Sequence, residues 1–192
     1  MVIVVMLGVH GIQRADARIE EFVDTNNNNL TVSIQAPDSW NSGTASATLH
    51  ALDWRGYGIA TLNDNRTAYF VIVNLPPVAN SVVPLGVISG TTTTVLSKYV
   101  TIDNQYDVKF SDGSSGHAYS ISVTPEQLSK LQLFLPSINK PFDAILIITQ
   151  HKGGTYVIAY ATQLGRMGNF IGTFQNILNS VKFGSATFVG PL

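Results

Sequence analysis

The sequence predicts an α+β protein built on a single antiparallel β-sheet flanked by helices. Several runs alternate apolar and polar side chains, for example residues 30–35, and this period of two is typical of half-buried strands. Short segments rich in asparagine, aspartate and glycine separate the runs, which favours antiparallel neighbours. Two or three helical patterns are inserted between the strands, which indicates helices packed on one sheet within a single domain.

The composition of the 192 residues limits the kinds of protein that this chain can be. Hydrophobic residues make up 45% and charged residues only 12%, about half the usual charged share. This composition is typical of a β-rich extracytoplasmic protein. The net charge of −1 comes with no basic stripe for phosphate contacts, so we expect no nucleic-acid partner. The chain contains no cysteine, which excludes disulfides and cysteine nucleophiles.

Residues 1–17 resemble a secretory signal peptide. An almost continuous apolar run over residues 1–11 precedes Ala15 and Ala17, the small residues expected before a cleavage at Arg18. The run is too short to span a bilayer as a helix, so we expect no transmembrane span in the mature chain. No basic residue precedes the run, and the alternative is an ordinary buried strand. We predict a secreted protein on the extracytoplasmic side of the cell surface.

The chain divides into four predicted segments. Four consecutive asparagines follow a short charged stretch and indicate a connector before the folded domain. The predicted boundaries are a signal peptide over 1–17, a flexible N-terminal segment over 18–29, the α+β domain over 30–183 and a C-terminal tail over 184–192. Sequons at Asn29 and Asn65 are compatible with an exported surface, but a chain this rich in asparagine and threonine contains them by chance.

The first half of the domain is predicted to consist of strands. Pro37 ends the first strand because proline cannot continue a central ladder. Further strands are predicted over residues 44–52, 56–62 and 67–73, with a hairpin around 53–55 and a turn at 63–65. Residues 78–90 are expected to form a loop. Residues 91–100 permit two interpretations, since their threonines favour a strand while Val95, Leu96 and Tyr99 fit one helical face, and we interpret them as a helix.

The second half begins with a predicted hairpin, residues 106–110 and 117–123, joined by a glycine-rich connection. Thr124 and Gln127 then form a capping box around Pro125, which predicts the start of a short helix. The apolar residues of that helix are Leu128, Leu131 and Leu135, and Pro136 stops it. Residues 142–149 are apolar on both faces and predict a central strand covered by helices.

The C-terminal unit is a strand over residues 156–161 followed by an amphipathic helix that ends within residues 179–183. The apolar residues of the helix recur at the spacing of one face. They are Met167, Phe170, Ile171, Phe174, Ile177, Leu178 and Val181. We expect Phe170, Phe174 and Ile177 to lie in the core.

Three blocks of the sequence resemble PsbP-like domains. Residues 30–40 match the opening strand followed by proline and tryptophan, residues 108–113 match the middle strand and its glycine turn, and residues 156–183 match the closing strand and helix. The resemblance covers residues 29–183 and implies an α-β-α sandwich. Photosynthetic members of this family are lumenal proteins that bind the oxygen-evolving side of photosystem II and influence calcium and chloride retention. Prokaryotic relatives are exported or anchored, mostly without assigned chemistry, and no catalytic residue can be carried over.

The residues themselves offer only weak candidate sites. No hydrolase, zinc-protease or nucleotide-binding motif is present. The histidines have no metal-like spacing; they are His10, His50, His117 and His151. Oxygen-rich side chains could hold a hard cation such as calcium, although such clusters are usually turns. The candidates for such a cation are Asp103 and Asp107, and Asp112 with His117 across the predicted hairpin forms a second weak metal candidate. Trp54 and Tyr57 are candidate residues of an aromatic ligand surface, whereas Trp40 is expected in the core.

We therefore expect an exported, non-enzymatic accessory or protein-interaction module with an unknown protein partner and no cofactor. The alternatives are a secreted hydrolase with a dispersed active site, and a small-ligand or metal-ion binding protein. The hydrolase alternative requires a concave pocket in which His117 or His151 meets a carboxylate or a serine.

Overall fold

The computed structural model describes residues 6–13, 19–49, 54–75, 84–132 and 139–191. It contains three helices and twelve strands within these ranges. The helices are α1 (Leu85–Leu96), α2 (Pro125–Gln132) and α3 (Met167–Ser180). The strands are β1 (Met6–Gln13), β2 (Ile19–Asp24), β3 (Leu30–Gln35), β4 (Trp40–Leu49), β5 (Trp54–Asn63), β6 (Ala68–Leu75), β7 (Thr101–Phe110), β8 (Ser115–Val123), β9 (Phe142–His151), β10 (Gly154–Gln163), β11 (Lys182–Phe183) and β12 (Ala186–Val189).

All twelve strands form one sheet in the order β1-β4-β5-β6-β10-β9-β8-β7-β12-β11-β3-β2. Every neighbouring pair is antiparallel, which confirms the predicted sheet type. The sheet curls in a barrel-like way, because β2 at one end contacts β5 near the other end. The Phe22 and Tyr57 rings meet there edge to face at 5.6 Å. The predicted flanked sandwich is thus only partly correct, since a curved sheet dominates the fold.

Helix α3 packs on the concave side of the sheet. Its buried residues are Phe174, Ile177 and Leu178, and they join the inward-facing side chains of β3, β6, β9 and β10. Trp40 belongs to the same core, as predicted. The helical face is less complete than the sequence suggested, because Phe170 is only partly buried and Ile171 is 37% exposed.

Helices α1 and α2 lie on the opposite, convex side. They pack over β8 and β9 and cover a second core that includes Tyr119, Ile121 and Leu128. The predicted capping box of α2 is confirmed, since the Thr124 amide donates to Gln127 Oε1 at 3.0 Å and the Gln127 amide donates to Thr124 Oγ1 at 3.4 Å. The predicted continuation of this helix to Leu135 and its stop at Pro136 fall within residues 133–138, which lie outside the described residues.

Helix α1 differs from the prediction, because it starts at Leu85 inside the expected loop and ends at Leu96. Its threonines are weak helix formers. Thr93 and Thr94 nevertheless bond the carbonyls one turn back, those of Ser89 and Gly90, each at 3.0 Å. This back-bonding satisfies the hydroxyls without leaving the helical conformation.

The segment expected to be flexible, residues 18–29, is folded where it is described. Residues 19–24 form β2, and the following turn is held by a buried network around Asp24. The Tyr156 hydroxyl donates to Asp24 Oδ2 at 2.7 Å, and Asn27 Nδ2 donates to the Tyr156 oxygen at 2.9 Å. These bonds hold the asparagine-rich turn against β10. They also provide partners for the buried Asp24 side chain, which would be costly to bury without them.

The expected tail, residues 184–192, contains β12, which pairs with β7 and β11. The N-terminal residues 6–13 form β1, which pairs with β4, while the predicted cleavage residues 15–17 lie outside the described residues. Export therefore stays a prediction. Within the described part of the chain, no helix is long and apolar enough to cross a membrane.

Candidate functional site

His151 is the most enclosed titratable side chain among the candidates. It lies at the end of β9 and is only 2% exposed. The Phe183 ring stacks on the imidazole at 3.9 Å, and the Phe110 ring meets it edge-on at 4.6 Å. Strand β11 thus supplies one wall of the pocket that encloses the imidazole.

The imidazole is also bound by polar groups on both nitrogens. Nδ1 lies 3.2 Å from Ser114 Oγ and 3.5 Å from Asp112 Oδ2, while Nε2 lies 3.1 Å from Thr149 Oγ1. Ser114 donates its hydroxyl to Asp112 Oδ1 at 2.6 Å. The cluster therefore ties the β7–β8 turn to the end of β9.

Burial lowers the pKa of His151, and the Asp112 carboxylate opposes only part of this effect. The pKa of Asp112 is also lowered: its slight burial raises it, but the hydrogen bonds from Ser114 and the interactions with His151 together outweigh that contribution. His151 is therefore neutral at pH 7, and the hydrogen bonds from Ser114 are the first of the interactions that keep Asp112 ionised.

The stability of the protein should fall as the pH is lowered from 7.5 to 5.5, because an unfolded histidine titrates near 6.5 and the folded His151 binds its proton only at lower pH. The unfolded state then binds more protons, so acid favours unfolding. Urea denaturation across this range measures the slope. His151→Phe should flatten this pH dependence of stability, and His151→Gln serves as the second variant. An unchanged slope in both variants would contradict the lowered pKa of His151. Asp112 titrates below this window.

The metal candidates do not converge. His117 Nδ1 lies 2.8 Å from Asp107 Oδ1 across the β7–β8 pair, whereas Asp112 contacts His151 and Asp103 accepts a hydrogen bond from Ser122 at 3.3 Å. The described residues contain no group of three or more acidic, histidine or cysteine side chains that could hold a metal. The segment around Asp103 and Asp107 is strand β7 rather than a turn.

The aromatic candidates are only partly described. Tyr57 is half-buried and acts in the closure of the sheet, since its hydroxyl donates to the Val23 carbonyl at 3.0 Å and accepts from the Thr25 amide at 3.0 Å. Trp54 begins β5, while its side chain lies outside the described part. A ligand surface formed by this pair stays a prediction.

A cleft of about 380 Å³ lies between the β3–β4 turn and helix α3. Four polar side chains line it together with three apolar residues. They are Gln35, Asp38, Thr173 and Asn176, with Ala36, Pro37 and Ile177. Sequence reasoning missed this cleft: it interpreted the Pro37–Trp40 segment as a strand end and as part of the PsbP-like resemblance, and no local pattern links it to the middle of α3.

Comparison with known proteins gives a likeness of fold. No family model and no curated protein matches the chain. The solution structure of cyanobacterial PsbP from Synechocystis sp. PCC 6803 is similar with a TM-score of 0.49 and 12% identity, covering 92% of this chain and 96% of that one. A Pseudomonas aeruginosa protein of unknown function, described as a candidate regulator, is similar with a TM-score of 0.45 and 9% identity, covering 82% and 91%. Both similarities concern the overall fold and not function.

Proposed function

We propose that this chain is an exported, non-enzymatic accessory module of PsbP-like type that works by binding a protein partner. The sequence resemblance over residues 29–183 and the leader-like residues 1–17 motivate this proposal. The partner-binding part rests on one structural observation, the exposed apolar side chains of strand β2.

Strand β2 is the last strand in the sheet order, so its outer backbone edge has no strand partner among the described residues. Ile19 is 68% exposed and Val23 is 44% exposed, on the face that points away from the core. Exposed Glu21 lies between them. An open edge with apolar side chains is a surface on which a partner can add a strand. The Val23 end is partly occupied by Tyr57, which leaves the Ile19 end more open.

The hydrolase alternative receives less support from the geometry. His151 does meet a serine and a carboxylate, as that alternative required. The imidazole is enclosed by Phe110 and Phe183, however, and its two nitrogens already lie within hydrogen-bond reach of Ser114 and Thr149. A general base must reach the substrate proton directly or through one water, and a side chain this buried holds the turn instead.

Site-specific photo-crosslinking in the producing cells tests the proposal. A photoreactive residue at Glu21 should give one discrete protein adduct, and the matched control at exposed Glu126 on α2 should give none. The double variant Ile19→Ser, Val23→Ser should reduce the Glu21 adduct by about tenfold, because burial of the two side chains contributes about 1.5 kcal/mol or more.

The same material tests export, since the intact mass of the secreted chain should correspond to a start at Arg18. Equal adducts at both positions, or an adduct that survives the double variant, would contradict a β2 interface. A chain that keeps Met1 and stays inside the cell would contradict export and would leave β1 paired with β4 as the structure has it.

A further inference from the structure

We propose that the cleft between the β3–β4 turn and helix α3 binds a small, neutral polyhydroxyl compound of about the size of a monosaccharide. This site is separate from the β2 edge and goes beyond the proposed partner binding. The inference rests on the chemistry of the lining residues, on their lack of protein partners and on the rigidity of the walls.

The polar side chains in the cleft have their hydrogen-bonding capacity free for a ligand. Among the residues that the structure describes, the side chains of Gln35, Asp38, Thr173 and Asn176 have no protein partner. Together they offer two carboxamides, one hydroxyl and one carboxylate within one cleft. Each carboxamide both donates and accepts, and the carboxylate can accept two hydrogen bonds.

The charge of the site selects among polar ligands. Among the lining residues that the structure describes, Asp38 is the only charged one and none is a cation, so phosphates and carboxylates are disfavoured. Hydroxyl groups suit the site best, because neighbouring hydroxyls can donate to the Asp38 carboxylate while they also pair with the amides. Half-buried Pro37 provides the apolar wall on which a C–H face can rest, while Ile177 closes the floor from the core. The volume of about 380 Å³ lies at the lower end of small-molecule sites.

The walls are held in place before any ligand arrives. Ser180 Oγ, at the end of α3, accepts a hydrogen bond from the backbone N–H of Gln35 at 2.8 Å. The Trp40 amide donates to the Pro37 carbonyl at 2.9 Å and closes the turn that carries Asp38. The Trp40 ring meets Phe174 at 6.1 Å, which fixes the turn against the helix. A preformed site loses less entropy on binding.

Two-dimensional NMR titration of the full chain with D-glucose, D-galactose and D-xylose, one at a time, tests the site. At least one sugar should shift amide signals of residues 35–38 and 173–177 together, with saturation in the millimolar range. Asp38→Asn should weaken that binding about fivefold to tenfold, since it removes a charge-assisted hydrogen bond. Thr173→Val, which keeps the shape, should weaken it about threefold to fivefold, and Glu126→Gln on α2 should leave it unchanged.

Ethylammonium chloride serves as the charge control, because it carries a cation without vicinal hydroxyls. Binding of ethylammonium at the same signals with higher affinity than any sugar would overturn the proposal in favour of a simple cation contact. The absence of localised shifts with all three sugars would overturn it, and so would sugar binding that Asp38→Asn and Thr173→Val leave unaffected.

Discussion

Gly58→Ala should destabilise the protein by about 3 kcal/mol or more, at the upper end of overpacking costs. A Cβ atom at this position of β5 would lie 1.8 Å from the Ile72 carbonyl oxygen and 2.8 Å from Val73 Cα. Both contacts are backbone atoms of the paired strand β6, so no side-chain rotation relieves them. The strands would have to separate where the sheet is buried. Urea denaturation followed by circular dichroism measures the loss.

Gly172→Ala is the matched control, because its Cβ meets no atom within 4 Å on the exposed side of α3. Alanine replaces glycine inside a helix there, and the expected change is a gain of about 0.5–1 kcal/mol. A Gly58→Ala protein as stable as the wild type would show that β5 and β6 do not approach this closely.

Phe174→Ala should cost about 3–5 kcal/mol, the range for removing a buried phenylalanine side chain. Phe174 is fully buried, stacks on Tyr160 at 4.6 Å and meets Trp40 edge to face at 6.1 Å. The change removes the contact between α3, the sheet and the β3–β4 turn. Thermal and urea unfolding with Trp fluorescence measure it.

Ile171→Ala provides the comparison on the same helix. Its side chain is 37% exposed, so the expected loss is below about 1 kcal/mol. Equal losses of stability for the two variants would mean that Ile171 is as buried as Phe174, as the helical periodicity alone suggested. That result would contradict the orientation of α3, which leaves Ile171 at the surface.

Strong local signals predicted most of the elements correctly. The alternation in β3 and the apolar run in β9 predicted two strands of the sheet. The capping box at Thr124 and Gln127 predicted the start of α2. The start of α1 could not be predicted, because Gly86 and Gly90 weaken its helical propensity. Packing of Leu85, Ile88 and Leu96 over β8 and β9 stabilises this helix, and only the fold provides that packing.

The candidate sites were less predictable than the elements. Sequence reasoning grouped Asp103, Asp107, Asp112 and His117 because they are close along the chain. On a hairpin, however, such residues divide between faces and partners. Asp112 turns to His151 from β9, a pairing that nothing in the local sequence indicates. The cleft beside α3 joins Asp38 to Asn176, which no periodicity connects.

The sequence by itself determined the antiparallel, helix-containing class, most turns and the cap of α2, because these depend on neighbouring residues and on the spacing of apolar side chains. Only the tertiary structure decided how far the sheet curls, that β2 and β12 belong to it, and that His151 is enclosed. It also decided which side chains line the cleft. These features depend on contacts between residues far apart in the chain, where burial and hydrogen bonding select one arrangement among many that the local patterns allow.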